Sequence, residues 1–89
     1  MIRKRVLVSG LVQGVFYRDT CRRVAEQQGV AGWVRNLPDG RVEAIFEGAA
    51  DGVDQLISWA RHGPRDARVT AVAVVDEPVE GLDRFEIRP

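Results

Sequence analysis

The stretch Gly10-Leu11-Val12-Gln13-Gly14-Val15-Phe16-Tyr17-Arg18 joins a strand pattern to a helix pattern through a glycine-bearing turn with an arginine on its far side. At such a junction the first N–H groups of the helix have no intrahelical acceptor and point the same way, so the turn attracts anions. Arg18 adds a planar fork of donors that matches two oxygens of a phosphate or carboxylate. The residues describe a small anion site of main-chain amides and one guanidinium. A tight strand-to-helix connection followed by a surface arginine is the simpler reading of the same residues.

Other chemistries have little to work with. His62 is the only histidine and Cys21 the only cysteine, so no cluster at metal-ligand spacing exists and a zinc site is not expected. One cysteine also excludes an intramolecular disulfide and fits a reducing compartment, the cytoplasm. Thirteen basic and thirteen acidic residues cancel, which leaves no one-signed field to hold a nucleic acid. Gly10 and Gly14 make no dinucleotide fingerprint, and no Gly-Lys-Ser/Thr phosphate loop occurs. The longest apolar run, Ala71 to Val75, is too short to span a bilayer, and Met1 to Val8 reads as a first strand in place of a signal segment.

A chain of 89 residues is expected to be one domain, 1–89, that buries about 60 to 65% of the surface its unfolded form exposes. From Arg3 to Ser9, Val6 and Val8 alternate with Leu7 and Ser9 as in a strand. Tyr17, Cys21, Val24, Ala25 and Gln28 then recur at helical spacing, and Gly29 closes the helix. On that stripe Cys21 reads as core and not as a nucleophile. Val30 to Arg35 is a second short strand, and Asn36-Leu37-Pro38-Asp39-Gly40 is built of turn residues. In the next strand Val42, Ala44 and Phe46 alternate with Arg41, Glu43, Ile45 and Glu47, which predicts one buried face, and Gly48 ends it. Asp51 stands as the N-cap of a second helix with Asp54 three residues on, and Val53, Leu56, Ile57 and Ala60 form its apolar stripe. Gly63-Pro64 stops that helix, and His62 in its last turn reads as a capping or exposed residue. Val69 to Val75 and Phe85 to Ile87 complete the strands.

The order β-α-β-β-α-β with a short extra strand is the split βαβ, or ferredoxin-like, α+β sandwich: an antiparallel sheet with two helices on one face. In that topology the first two strands run parallel, with the third between them. The loop after strand one and Asn36 at the end of strand two then fall on the same edge, where Arg18 and Asn36 can share a site. Asparagine also opens turns routinely by bonding its own backbone, and that reading stays open on the residues alone.

Gly10-x-Val12-Gln13-Gly14-Val15-x-Tyr17-Arg18, followed by Gly32-Trp33-Val34-x-Asn36-x-x-Asp39-Gly40, resembles the paired signature of acylphosphatases. The likeness extends over Val42-Glu43, Gly63-Pro64 and Phe85-x-Ile87, and departs at Arg65, where the family often has proline, and at Pro89. The resemblance implies hydrolysis of the carboxyl–phosphate bond of a small acyl phosphate to a carboxylate and inorganic phosphate, with no metal or other cofactor. It implies that Arg18 and the main-chain amides of Gln13, Gly14, Val15, Phe16, Tyr17 and Arg18 bind the phosphoryl group and that Asn36 positions the attacking water. Asp39-Gly40 is assigned to the turn alone, and Tyr17 and Trp33 read as packing residues. No nucleic acid, membrane or second subunit is expected, and the domain reads as a free-standing monomeric enzyme.

Two rivals use the same topology. An RNA-recognition module needs aromatic residues on its central strands, and Arg5-Val6-Leu7-Val8 supplies none. A regulatory module that holds a small anion without turnover needs only the same cradle.

Overall fold

Alternating β-branched residues and two amphipathic segments give, in the computed structural model describing residues 1–89, β1 (Ile2–Leu11), α1 (Tyr17–Gln27), β2 (Ala31–Asn36), β3 (Val42–Gly48), α2 (Ala50–Ala60), β4 (Arg68–Glu77) and β5 (Phe85–Ile87). The strands lie in the order β4-β1-β3-β2-β5. β1 is antiparallel to β3 and β4, and β2 is antiparallel to β3, so β1 and β2 run the same way on either side of β3. This is the ferredoxin-like α+β arrangement. The short β5 pairs parallel to β2 through Gly32 and Phe85, which makes the five-stranded sheet mixed at that edge. No helix is long and apolar enough to cross a membrane.

Val6 and Val8 of β1, Val34 of β2, and Val42, Ala44 and Phe46 of β3 meet Tyr17, Cys21 and Ala25 of α1 and Val53, Leu56 and Ala60 of α2 in one core. Burial of such side chains, at about 1.5 to 3 kcal/mol for each large one, holds both helices on that face. Gly32 lets β2 approach β3: its φ is +138°, and an added Cβ would overlap the Ile45 carbonyl oxygen.

Several local expectations change. Helix α2 begins at Ala50 with Ala49 as its N-cap (φ −60°, ψ 144°) and no side-chain cap bond. Asp51 is therefore not the cap; it lies in the first turn, where its charge favours the helix N-terminus. Gln28 leaves the apolar stripe, because α1 stops at Gln27 and Gln28 is the exposed C-cap. Asn36 is the last residue of β2, paired with Val42, and the turn starts after it.

β3 is buried on both faces, although only one carries helices. On the other face Ile45 is covered, and Glu43 is held by Arg5 Nε and Arg35 Nε at 2.7 Å each. Glu47 accepts the N–H groups of Glu80, Gly81 and Leu82 at 2.8, 3.0 and 2.6 Å and faces the buried Arg3 guanidinium at 3.4 Å. One carboxylate thereby ties the β4–β5 connection to the sheet. Burial by itself would raise the pKa of both acids. The arginines beside Glu43, and the Glu80 and Leu82 amides, Arg3 and the Gly81 amide around Glu47, outweigh it and hold both below the usual value.

A depressed native carboxylate pKa means that the unfolded chain binds more protons in the acid range, so this stability is present above about pH 4.5 and is lost as the pH falls through the native values. Urea unfolding at pH 7 and pH 3 is expected to show a marked loss for the parent. The loss is expected to be smaller for Glu47→Gln, and an equal loss in both would remove Glu47 from this account.

Candidate active site

The connection from β1 to α1 leaves a row of amides free. From Gln13 to Asp19 no main-chain N–H donates to an acceptor in the chain, and bonding resumes with Thr20 N–H to Phe16 O at 3.1 Å. Two residues with positive φ, Gly14 at +76° and Phe16 at +64°, turn this loop into the start of the helix. Successive unpaired amides in such a turn form an anion-binding concavity backed by the positive end of the helix. Gly14 has open space where a Cβ would stand, so its conformation and the access it gives to the backbone, not crowding, account for a glycine there.

Beside the loop lies a cavity of about 320 Å³ lined by Gly14, Phe16, Tyr17, Arg18 and Asn36 among others. The expected meeting of Arg18 and Asn36 is thus present, produced by β1 and β2 ending at the same edge. Arg18, in the first turn of α1, is half-buried. Its neighbour Asp19 is engaged by Arg22 and Arg23 at 3.3 and 3.0 Å, leaving the Arg18 guanidinium free of a carboxylate partner. Asn36 Oδ1 is buried with no hydrogen-bond donor. An unmatched buried acceptor costs about 1 to 3 kcal/mol, so its presence calls for a role.

Gln13 and Val15 do not line the cavity. Val15 packs against the core. The Gln13 side chain instead reaches across to β2's exit, where Nε2 donates to Leu37 O at 2.8 Å and Arg41 O at 3.0 Å. It clips the amide loop to the turn that follows Asn36. Tyr17 anchors the other side: its hydroxyl donates to Ala60 O at 2.8 Å and its ring lies 4.9 Å from that of Trp59. Burial and the nearby Cys21 push the Tyr17 pKa up, so the phenol remains a donor. Burial likewise pushes up the Cys21 thiol, which agrees with a core residue and not a nucleophile.

Val12, Asp19 and Ile87 complete the lining and were not among the expected site residues. Trp33 does not line the cavity; the Arg35 and Arg88 guanidinium groups lie 5.3 and 5.0 Å from its ring. His62 is exposed near the end of α2, with Nδ1 3.1 Å from Ser58 O.

Residues 4–87 match the acylphosphatase family. The chain belongs to that family. An acylphosphatase of Rubrobacter xylanophilus is 61% identical over 87 residues, which cover 97% of this chain and 79% of the relative. Among solved structures, the acylphosphatase of Bacillus subtilis superimposes with a TM-score of 0.96 over 100% of both chains at 34% identity. That of Coxiella burnetii gives 0.94 at 39% identity, over 98% of this chain and 92% of its own. As an acylphosphatase the chain is a hydrolase, and the substrate class that goes with the family is the small acyl phosphates.

Proposed function

We propose that the chain, as a monomeric single domain in the cytoplasm, hydrolyses the carboxyl–phosphate bond of acyl phosphates to a carboxylate and inorganic phosphate without a metal. The observation that carries this reading is that Arg18, Asn36 and the start of the free amide loop line one cavity. Arg18 and the amides of Gln13, Gly14, Val15, Phe16, Tyr17 and Arg18 hold the phosphoryl oxygens. Charge spreads over those oxygens in the transition state, and fixed amides stabilise it without reorganising.

Asn36, which lines the cavity, orients the attacking water through its side-chain amide so that the water oxygen faces phosphorus. The new P–O bond forms as the P–O bond to the acyl group breaks, the electron pair leaves on the carboxylate, and the water's proton ends on the phosphate product. A carboxylate is a good leaving group, so orientation suffices where a strong base would otherwise be needed. The one carboxylate at the cavity, Asp19, is already engaged by two arginines, which favours a route through the chain's own donors.

The test is hydrolysis of benzoyl phosphate by the purified protein in EDTA. Turnover supports the reading. No turnover, with phosphate binding that still depends on Arg18, would replace it by the anion-holding module.

Because Gln13 clips the amide loop to the Asn36 strand end, Gln13→Leu is expected to lower kcat by about tenfold, consistent with the sensitivity of catalysis to misplacement of about 1 Å. The same substitution in an Asn36→Ala background is expected to cost much less. Additive losses in the double variant would show that Gln13 does not act through Asn36.

A further inference from the structure

We infer that the exposed Phe16 ring and Ile87 form the wall that receives the acyl part of the substrate, so that the site favours acyl phosphates with aryl or branched apolar acyl groups over small ones. The inference rests on the acyl phosphate hydrolysis proposed above and adds the substrate's other half.

Phe16 is the only non-glycine residue with positive φ. Glycine would meet that backbone requirement without strain, and asparagine more easily than a bulky aromatic residue, so loop geometry explains the φ and not the phenyl ring. Packing does not explain the ring either: Phe16 is 78% exposed, stands outside the core and pairs with no other aromatic residue. What the ring does is line the cavity that holds Arg18 and Asn36. A strained residue at a site points to a use for the side chain that the strain retains.

Ile87 reaches the same cavity from β5, where it pairs with Val34 of β2, two residues before Asn36, and it is 36% exposed. Val12 and Tyr17 also line it but are 1% and 3% exposed, so the apolar surface that a ligand can reach belongs to Phe16 and Ile87. At ~30 Å³ per water-sized atom, the cavity of about 320 Å³ is larger than a phosphoryl group alone fills. With the phosphoryl group fixed by the loop amides, the acyl chain leaves the loop within reach of these two side chains.

The experiment compares kcat/KM for benzoyl and acetyl phosphate in the parent, Phe16→Asn and Ile87→Ser. Both substrates release carboxylates of similar basicity, so the change in their ratio from parent to variant reports the acyl contact. Asparagine tolerates the left-handed conformation and so keeps the loop while removing the ring.

A parent preference for benzoyl phosphate that falls by about tenfold in Phe16→Asn and about threefold in Ile87→Ser supports the wall, on the scale that apolar pockets provide. A ratio that does not change in either variant, with acetyl phosphate still turned over, overturns the wall and leaves the hydrolysis standing. Absence of turnover of both substrates by the parent overturns the hydrolysis and the wall together.

Discussion

Arg18→Ala is expected to lower kcat/KM for benzoyl phosphate by at least about 10²- to 10³-fold, the loss typical of removing one well-placed donor to a developing oxyanion. The substitution removes no internal ion pair, since Asp19 is engaged by Arg22 and Arg23. Stability is therefore expected to stay close to the parent's, and the loss belongs to the chemistry. Inorganic phosphate, as product, should inhibit the variant much more weakly. Arg18→Lys should recover only part of the rate, because an ammonium is a point charge and does not match two phosphoryl oxygens in one plane. Steady-state kinetics beside thermal melts check this, and a folded Arg18→Ala enzyme within tenfold of the parent would sink the assignment.

Asn36→Ala is expected to move activity and stability differently. Its buried Oδ1 has no donor, so truncation strands no partner and removes an unsatisfied acceptor. Stability is expected to be unchanged or to rise by up to about 1 kcal/mol. The rate is expected to fall by about 10²-fold, mainly in kcat, because the oriented water is lost while the phosphoryl grip of the loop remains. Chemical denaturation and kinetics on the same samples decide it. A variant that loses stability in proportion to activity would make Asn36 structural.

The arrangement of the site was legible because two periodicities set the topology. Alternation in β1 and β3 and helical spacing in α1 identify the split βαβ order, and that order alone brings the end of β1 beside the end of β2. Arg18 and Asn36, distant in sequence, follow from it.

What stayed hidden depends on contacts that no local pattern encodes. The Gln13 side chain bonds carbonyl groups 24 and 28 residues away, and a glutamine in a loop gives no sign of its acceptors. Ile87 enters the cavity only because the three-residue β5 pairs parallel to β2. Ile45 looked solvent-facing by alternation and is buried on a face without helices, where Arg5, Glu43 and Arg35 cross the strands beside it. Ala49 caps α2 without a side-chain bond, so the aspartate two residues on was the more visible signal and the wrong one.

In the proposed reaction a water oriented by Asn36 attacks phosphorus, and the fate of its oxygen is the most direct test. Benzoyl phosphate would be hydrolysed in ¹⁸O-enriched water containing EDTA, at enzyme levels where the spontaneous reaction is negligible, and both products analysed by mass spectrometry. Label in the inorganic phosphate and none in benzoate is the expected result. Label in benzoate would mean attack at the acyl carbon and would contradict the roles given to both Arg18 and Asn36.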